Sequence, residues 1–339
     1  MGTADPEPPA PLGLRRTSSQ PSGPTDPNPR SGTKTPRPIL AMMPAVSRSR
    51  SIPTLVLVLA LVLGPSSEAH AGPWAPEPGS GYAKLWLKYL YGFGYFDGDG
   101  DVLDYGHYSE IFVSAYAELG LFPQVALVLH TPILQGFLLE NPREGRVDGH
   151  LSPGDPTLSI RWQALAIDRF AGAVEVGLRA PFARPGPVQT VYGTSEGMPA
   201  IGALEIGTGV WDVPVSISAG YGWDELYLAA SVGYVLRTGG FDHVLTWSAE
   251  AGTTFEGGFG LRGRAVGWHA LDLQIGDAAP RHQSPSGIGN GTSYIGFAIE
   301  GDYEFEPGWF VGLTFEGGLG PLRRQTGGPV VTTYLASRF

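Results

Sequence analysis

From Tyr82 onward the chain is written in twos. Ala83, Leu85, Leu87, Tyr89 and Tyr91 fall on one face, while Tyr82, Lys84, Trp86 and Lys88 fall on the other. Further on, Ile111, Val113, Ala115, Ala117 and Leu119 alternate with Glu110, Phe112, Ser114, Tyr116 and Glu118. Leu158, Ile160, Trp162 and Ala164 alternate with Thr157, Ser159, Arg161 and Gln163. A period of two is that of a strand with one apolar and one polar face, and no stretch sustains the 3.6-residue spacing of a helix. Read to the end, the pattern predicts twelve strands, at 82–91, 108–119, 124–132, 155–165, 171–181, 209–221, 226–237, 243–254, 259–268, 293–305, 309–317 and 329–339. The connections alternate too. Those at 120–123, 166–170, 222–225, 255–258 and 306–308 are short. Those at 92–107, 133–154, 182–208, 269–292 and 318–328 are long, with 238–242 the exception. An even number of strands joined by alternating short turns and long loops is the pattern of a transmembrane antiparallel up-and-down β-barrel. Phe122, Phe170, Trp223, Phe255, Phe259, Phe305, Trp309 and Phe339 gather at the short-turn end, as an interfacial aromatic girdle would. A soluble β-sandwich or lipocalin-like barrel alternates as well, with its apolar face turned inward. Alternation alone does not say which face is inside.

What precedes Tyr82 belongs to a different kind of chain. Residues 1–41 are crowded with Pro, Ser, Thr, Gly and Arg, so they cannot bury enough surface to fold, and they read as disordered or as a leader from a start placed too far upstream. Residues 42–71 read as a signal peptide. Arg48 and Arg50 form a basic region, residues 55–63 an apolar run, and Ala69-His70-Ala71 a small-residue cleavage site that places the cut between Ala71 and Gly72. Nine apolar residues are too few to span a bilayer as a helix. Residues 72–339 are left as the barrel, with the first strand running outward and Phe339 at the periplasmic rim of a Gram-negative outer membrane.

Charge changes the picture inside. Seven of the 22 Lys and Arg and four of the 32 Asp and Glu precede Gly72, leaving 15 basic and 28 acidic residues, a net charge of −13. That balance argues against nucleic acid as a partner. There is no Cys, which excludes disulfides and thiol chemistry. If the apolar faces meet lipid, the polar faces line a lumen. Its basic residues are then Lys84, Lys88, Arg161, Arg179, Arg237, Arg262, Arg264 and Arg338, and its acidic ones Glu110, Glu118, Glu175, Asp212, Glu250, Glu300, Asp302, Glu304 and Glu316. The signs interleave. Lys84 and Lys88 are expected between Glu110 and Glu118 on one side and Arg338 on the other, and Arg262 and Arg264 between Glu250 and the pair Glu300 and Asp302. Such charges either pair across strands and close the barrel or screen a solute in a narrow channel.

Other motifs carry less. Asp97, Asp99 and Asp101 are spaced like a calcium loop but lack its sixth-position Gly and twelfth-position Glu, which leaves a weak cation site or a plain turn. Gly258, Gly260 and Gly263 match a dinucleotide fingerprint but span a hairpin rather than opening a helix. His282 and Ser284 would suit an outer-membrane hydrolase only on barrel strands, and they fall in a loop. The seven His show no zinc spacing. No cofactor, metal or catalytic residue is expected, and the chain does not read as an enzyme.

Several short stretches resemble a family of bacterial outer-membrane barrels described as transporters or meta-pathway phenol-degradation proteins. They are the run from Trp74 to Tyr82 with Gly79 and Gly81, the run Tyr95-Phe96-Asp97-Gly98-Asp99-Gly100, Gly154-Asp155-Pro156, and Gly207-Thr208-Gly209-Val210-Trp211-Asp212 with Gly233-Tyr234-Val235-Leu236-Arg237. The resemblance implies a passive channel for a small, hydrophobic or aromatic solute, monomeric or weakly oligomeric. Its partners would be outer-membrane lipid and the barrel-assembly machinery, which would engage the strand ending in Phe339. Polar Thr333 and Ser337 on that strand's expected lipid face depart from the usual terminus.

Overall fold

The computed structural model describes residues 72–92, 94–96, 102–103, 107–141, 146–183, 206–279, 289–319 and 326–339. Residues 1–71, the 97–101 loop and His282 with Ser284 lie outside them, so the leader, the cleavage site at Ala71 and those two motifs are not described.

Twelve strands close a barrel among the described residues. They are β1 (Gly81–Gly92), β2 (Tyr108–Phe122), β3 (Val125–Asn141), β4 (Thr157–Ile167), β5 (Phe170–Arg179), β6 (Asp212–Gly222), β7 (Leu226–Arg237), β8 (Val244–Phe255), β9 (Phe259–Ala270), β10 (Tyr294–Glu306), β11 (Trp309–Gly318) and β12 (Val330–Arg338). Each pairs antiparallel with the next, and β12 returns to β1 in register from Tyr82 opposite Arg338 to Leu90 opposite Val330. The seam is finished by the terminal residue. Gly81 N–H donates to the Phe339 carbonyl at 2.8 Å, and Phe339 N–H donates to the Gly81 carbonyl at 3.1 Å. Closure matters because an open sheet edge cannot satisfy its backbone groups in hydrocarbon.

The faces are now assigned. Leu85, Leu87, Ile111, Leu158, Ile160, Trp162, Val232 and Leu313 point outward and are exposed, Ile160 by 55%, whereas Glu118, Ser159 and Arg161 on the alternate positions are buried. A soluble protein does not expose an apolar belt of this extent. The polarity is that of a barrel solvated by lipid. Phe122, Phe170, Trp223, Phe255, Phe259 and Phe305 ring its short-turn end on the outside. Ser337, expected toward lipid, is instead buried, between Ala83 and Trp309 in the register, while Thr333 is exposed.

One connection differs from its expectation. Residues 133–154 do not form a free loop. β3 pairs with β4 only from Val125 to His130, then continues to Asn141 against a returning strand, Arg146–Ser152. The switch falls at Pro132, which has no N–H to give a ladder, beside a bulge at Ile133 of β3 opposite Val113 and Ser114 of β2. Beyond it the hairpin rises above the barrel as an extension of the β2–β3 sheet. Three further short strands, Gly94–Phe96, Val102–Leu103 and Thr326–Gly327, form a small sheet of their own among the long connections.

Candidate functional site

The inward positions of β1, β9, β10, β11 and β12 converge on one network. Arg262 on β9 places Nη1 2.5 Å from Glu300 Oε1 and 2.6 Å from Asp302 Oδ2, both on β10. Lys84 on β1 reaches Glu300 Oε2 at 2.9 Å, and its ammonium lies 3.6 Å from the centre of the Tyr334 ring. Thr314 Oγ1 on β11 donates to the same Glu300 oxygen at 3.1 Å. The Tyr334 hydroxyl sits 2.8 Å from Glu300 Oε1 and 3.0 Å from Asp302 Oδ2. Tyr334 can lie there because Gly312 on the neighbouring strand is bare. A Cβ at that position would fall 2.1 Å from the ring. Tyr227 uses Gly252 in the same way and donates to Glu250 at 2.5 Å. A flat aromatic over a glycine is a recognised device of curved sheets.

A second network lies across the barrel. Arg161 on β4 binds Glu118 on β2 at 2.6 Å and Glu175 on β5 at 2.9 Å, and Tyr116 donates its hydroxyl hydrogen bond to Glu118. A third stands toward the long-loop end. Arg179 binds Asp212 at 3.0 Å, and Arg237 approaches the other oxygen of Asp212 at 3.5 Å, stacks 4.6 Å from the centre of Phe241 and donates to the Gly289 carbonyl at 3.3 Å. Asp212 and Arg237 are almost wholly buried. Two pairs are looser: Arg264 to Glu250 at 3.9 Å, with the Arg264 side chain 47% exposed, and Lys88 to Glu316 at 3.7 Å. Glu110 is buried and accepts from Tyr108 at 3.0 Å.

The structure brings together most of the expected lumen charges, with Arg262 and Arg264 lying between Glu250 and the pair Glu300 and Asp302. Lys84 and Lys88 reach Glu300 and Glu316 on the β10–β11 side. Arg338 stacks 4.4 Å from the centre of Phe310. Glu304 accepts from the Gly308 N–H at 2.7 Å and so helps close the β10–β11 turn. Among the described residues no group of His, Asp and Glu is arranged to hold a metal.

Between the networks lies a cavity of about 680 Å³. Its wall carries Trp86, Phe112, His130, Tyr294, Phe297 and Phe310 among the charges. Trp86 stacks on His130 with ring centres 5.5 Å apart and planes 2° from parallel. Toward the long-loop end the inward face turns apolar. Leu90, Tyr108, Phe112, Phe137, Leu139 and Val330 form a buried cluster with Ala183 and Ile206 from the β5–β6 connection. Sequence reasoning missed this cluster. Its signal was a break in alternation, where Tyr89-Leu90-Tyr91, Phe137-Leu138-Leu139 and Val330-Val331 put apolar residues on both faces at once.

No family model matches the chain, and no curated protein matches it. Solved structures do. An outer membrane channel from Pseudomonas putida F1 superposes with a TM-score of 0.53 at 11% identity, covering 81% of this chain and 100% of that one. The NanC porin gives 0.44 at 8% identity over 76% of this chain and 100% of that one. The translocator domain of the autotransporter NalP from Neisseria meningitidis gives 0.43 at 11% identity over 87% and 100%. At such identities the likeness to the Pseudomonas channel speaks for the fold, a closed antiparallel barrel that is apolar outside.

Proposed function

We propose that this chain is an outer-membrane barrel that lets a small solute pass through a narrow, charge-lined lumen. The observation that carries the reading is the internal cavity of about 680 Å³, walled by paired charges and aromatic rings inside a barrel whose outer surface suits lipid. The short-turn end faces the periplasm and the long connections face outward, as the aromatic belt and turn lengths favour. The aromatic lining, with the likeness of Gly207–Asp212 and Gly233–Arg237 to the phenol-degradation barrels, favours solutes that carry an aromatic ring. Lys84, Lys88, Arg262 and Arg264 form the basic side of the path, with Glu250, Glu300, Asp302 and Glu316 facing them.

The test is single-channel recording of the purified protein in a planar bilayer. Steady openings with an ion preference, blocked by phenol or benzoate at millimolar concentration, are expected. A folded barrel that never opens overturns the reading. A second reading has its own support. The networks of Arg161, Arg179 and Arg262 are tight enough to hold the barrel shut, which suits a structural or adhesive barrel that displays the 133–154, 182–208 and 269–292 connections. That reading predicts negligible current and binding that depends on those connections.

A further inference from the structure

Two stretches far apart in the chain, Gly154-Asp155-Pro156 before β4 and Gly207-Thr208-Gly209 before β6, meet at the long-loop end of the barrel. Asp155 continues the inward positions of Thr157, Ser159 and Arg161 and is itself buried. Its carboxylate accepts the Ala183 N–H on Oδ1 and the Thr208 N–H on Oδ2, each at 2.8 Å. Ala183 lies just past the end of β5 and Thr208 just before the start of β6. One side chain therefore clasps both ends of the connection between those strands, with a charge-assisted bond to each.

The neighbours are cut to fit the clasp. A Cβ on Gly207 would overlap both Ala183 Cβ and Asp155 Oδ2. Gly154 N–H donates to the Pro132 carbonyl at 2.9 Å, and a Cβ there would lie 2.6 Å from the Pro132 ring, so Asp155 is seated where β3 leaves β4. What the clasp holds is apolar. Ala183 and Ile206 are buried in the cluster that Leu90, Tyr108, Phe137 and Val330 form on the inward face of β1, β2, β3 and β12. The two ends of the connection are thus drawn inward from β5 and β6 toward the far wall. The stretch after Gly207 is pinned again at Asp212, which Arg179 binds at 3.0 Å and Arg237 approaches at 3.5 Å.

We infer that Asp155 is a positioning residue that holds Ala183 and Ile206 as an apolar collar at the long-loop end of the lumen, and that this collar limits the passage of ions and other hydrated solutes. An apolar constriction sheds water, so a hydrated solute crosses it poorly. A solute arriving from the long-loop end meets the collar before the charged cavity. The inference rests on the channel reading, and one experiment separates the two. The full chain, exported with its own leader, is compared with Asp155→Ala and Asp155→Asn, each extracted folded from the outer membrane. Folding is read by the mobility change on heating. Asp155→Asn keeps one acceptor and turns a donor toward the other backbone N–H, so it should fall between the native protein and Asp155→Ala.

Asp155→Ala should raise single-channel conductance at least two-fold. If the native protein is silent and Asp155→Ala conducts, the collar is upheld and constitutive passage fails. If both conduct equally, the collar is overturned and the channel stands. If neither conducts, both fall. Should Asp155→Ala not reach the folded form, Gly207→Ala takes its place, because its methyl must part Ala183 from Asp155 with the carboxylate still present. Its current should rise as well, and an unchanged current would overturn the collar. Because the chain has no Cys, a single cysteine placed by Ala183→Cys reports on the collar without any current. In the purified folded protein it should react with a bulky maleimide at least ten-fold faster when Asp155→Ala is added, and equal rates would overturn the inference.

Discussion

Two lumen arginines two residues apart should behave as opposites. Arg262 is held by Glu300 and Asp302 within 2.6 Å and by contact with the Tyr334 hydroxyl, whereas Arg264 is half exposed and 3.9 Å from Glu250. Truncating one partner of a buried pair leaves the others uncompensated, at a cost of about 3–5 kcal/mol. Arg262→Ala should therefore lower stability by about that amount, read as a fall in the urea midpoint of the barrel in lipid vesicles. Arg264→Ala should leave the midpoint within about 1 kcal/mol, because a loose exposed pair adds little. It should still move the reversal potential toward cation preference, since Glu250 keeps its charge in the passage. The reverse ranking would mean that the networks do not set stability. Gly312→Val tests the same network without touching a charge, because Tyr334 must leave and take its hydroxyl from Glu300 and Asp302. A midpoint loss of about 2 kcal/mol or more is expected, as for other overpacking changes. That these charges share one face of their strands was legible from alternation alone. The reach of Lys84 was not, because it pairs with Glu300 three strands away, across the curvature of a closed ring that a linear pattern does not contain.

At the scale of elements, the strands were written in the sequence and the connections only partly so. Alternation marks a strand wherever its two faces meet different solvents. β3 above Pro132 escapes that rule, because Leu134, Gln135, Phe137, Leu138 and Leu139 mix polar and apolar residues on a hairpin that has left β4 and turns Phe137 and Leu139 into the apolar cluster. The segment 72–80 escapes it for another reason, since its three prolines leave it one isolated bridge, Pro78 to Gly120. The hairpin makes its ladder with β2 and with itself and none with β4, so the barrel does not depend on its tip. Replacing residues 140–147 with a two-residue turn, which keeps Phe137 and Leu139 in their cluster, should leave the heat-modifiable folded form intact. Loss of that form would mean that the extension is needed to assemble β2 and β3. The seam asks the opposite question. Deleting Phe339 removes both backbone bonds to Gly81 that end the β1–β12 pairing. The fraction of chain reaching the folded membrane form should fall several-fold, read by the same gel assay on outer-membrane fractions.

The described residues form a barrel whose polarity is inverted, and depth in the belt sets what a given substitution does. Val232 lies at the middle of β7, exposed by 51% on the outer face, with lipid as its neighbour. An Arg at the bilayer midplane of such a barrel costs about 2–4 kcal/mol, and an inward Arg is solvated by the lumen. Val232→Arg should accordingly lower the folding free energy in vesicles by that range. Thr254→Arg, on the cavity wall of β8, should cost less than about 1 kcal/mol and shift ion preference toward anions, since it adds a cation to a passage shared by Arg262 and Arg264. The pair separates two accounts of the alternation that the sequence could not. In a water-soluble barrel the outward Arg would be tolerated and the inward one would be ruinous. A large loss at Thr254 with none at Val232 would therefore reverse the assignment of the faces, and with it the membrane reading on which the passage through the lumen depends.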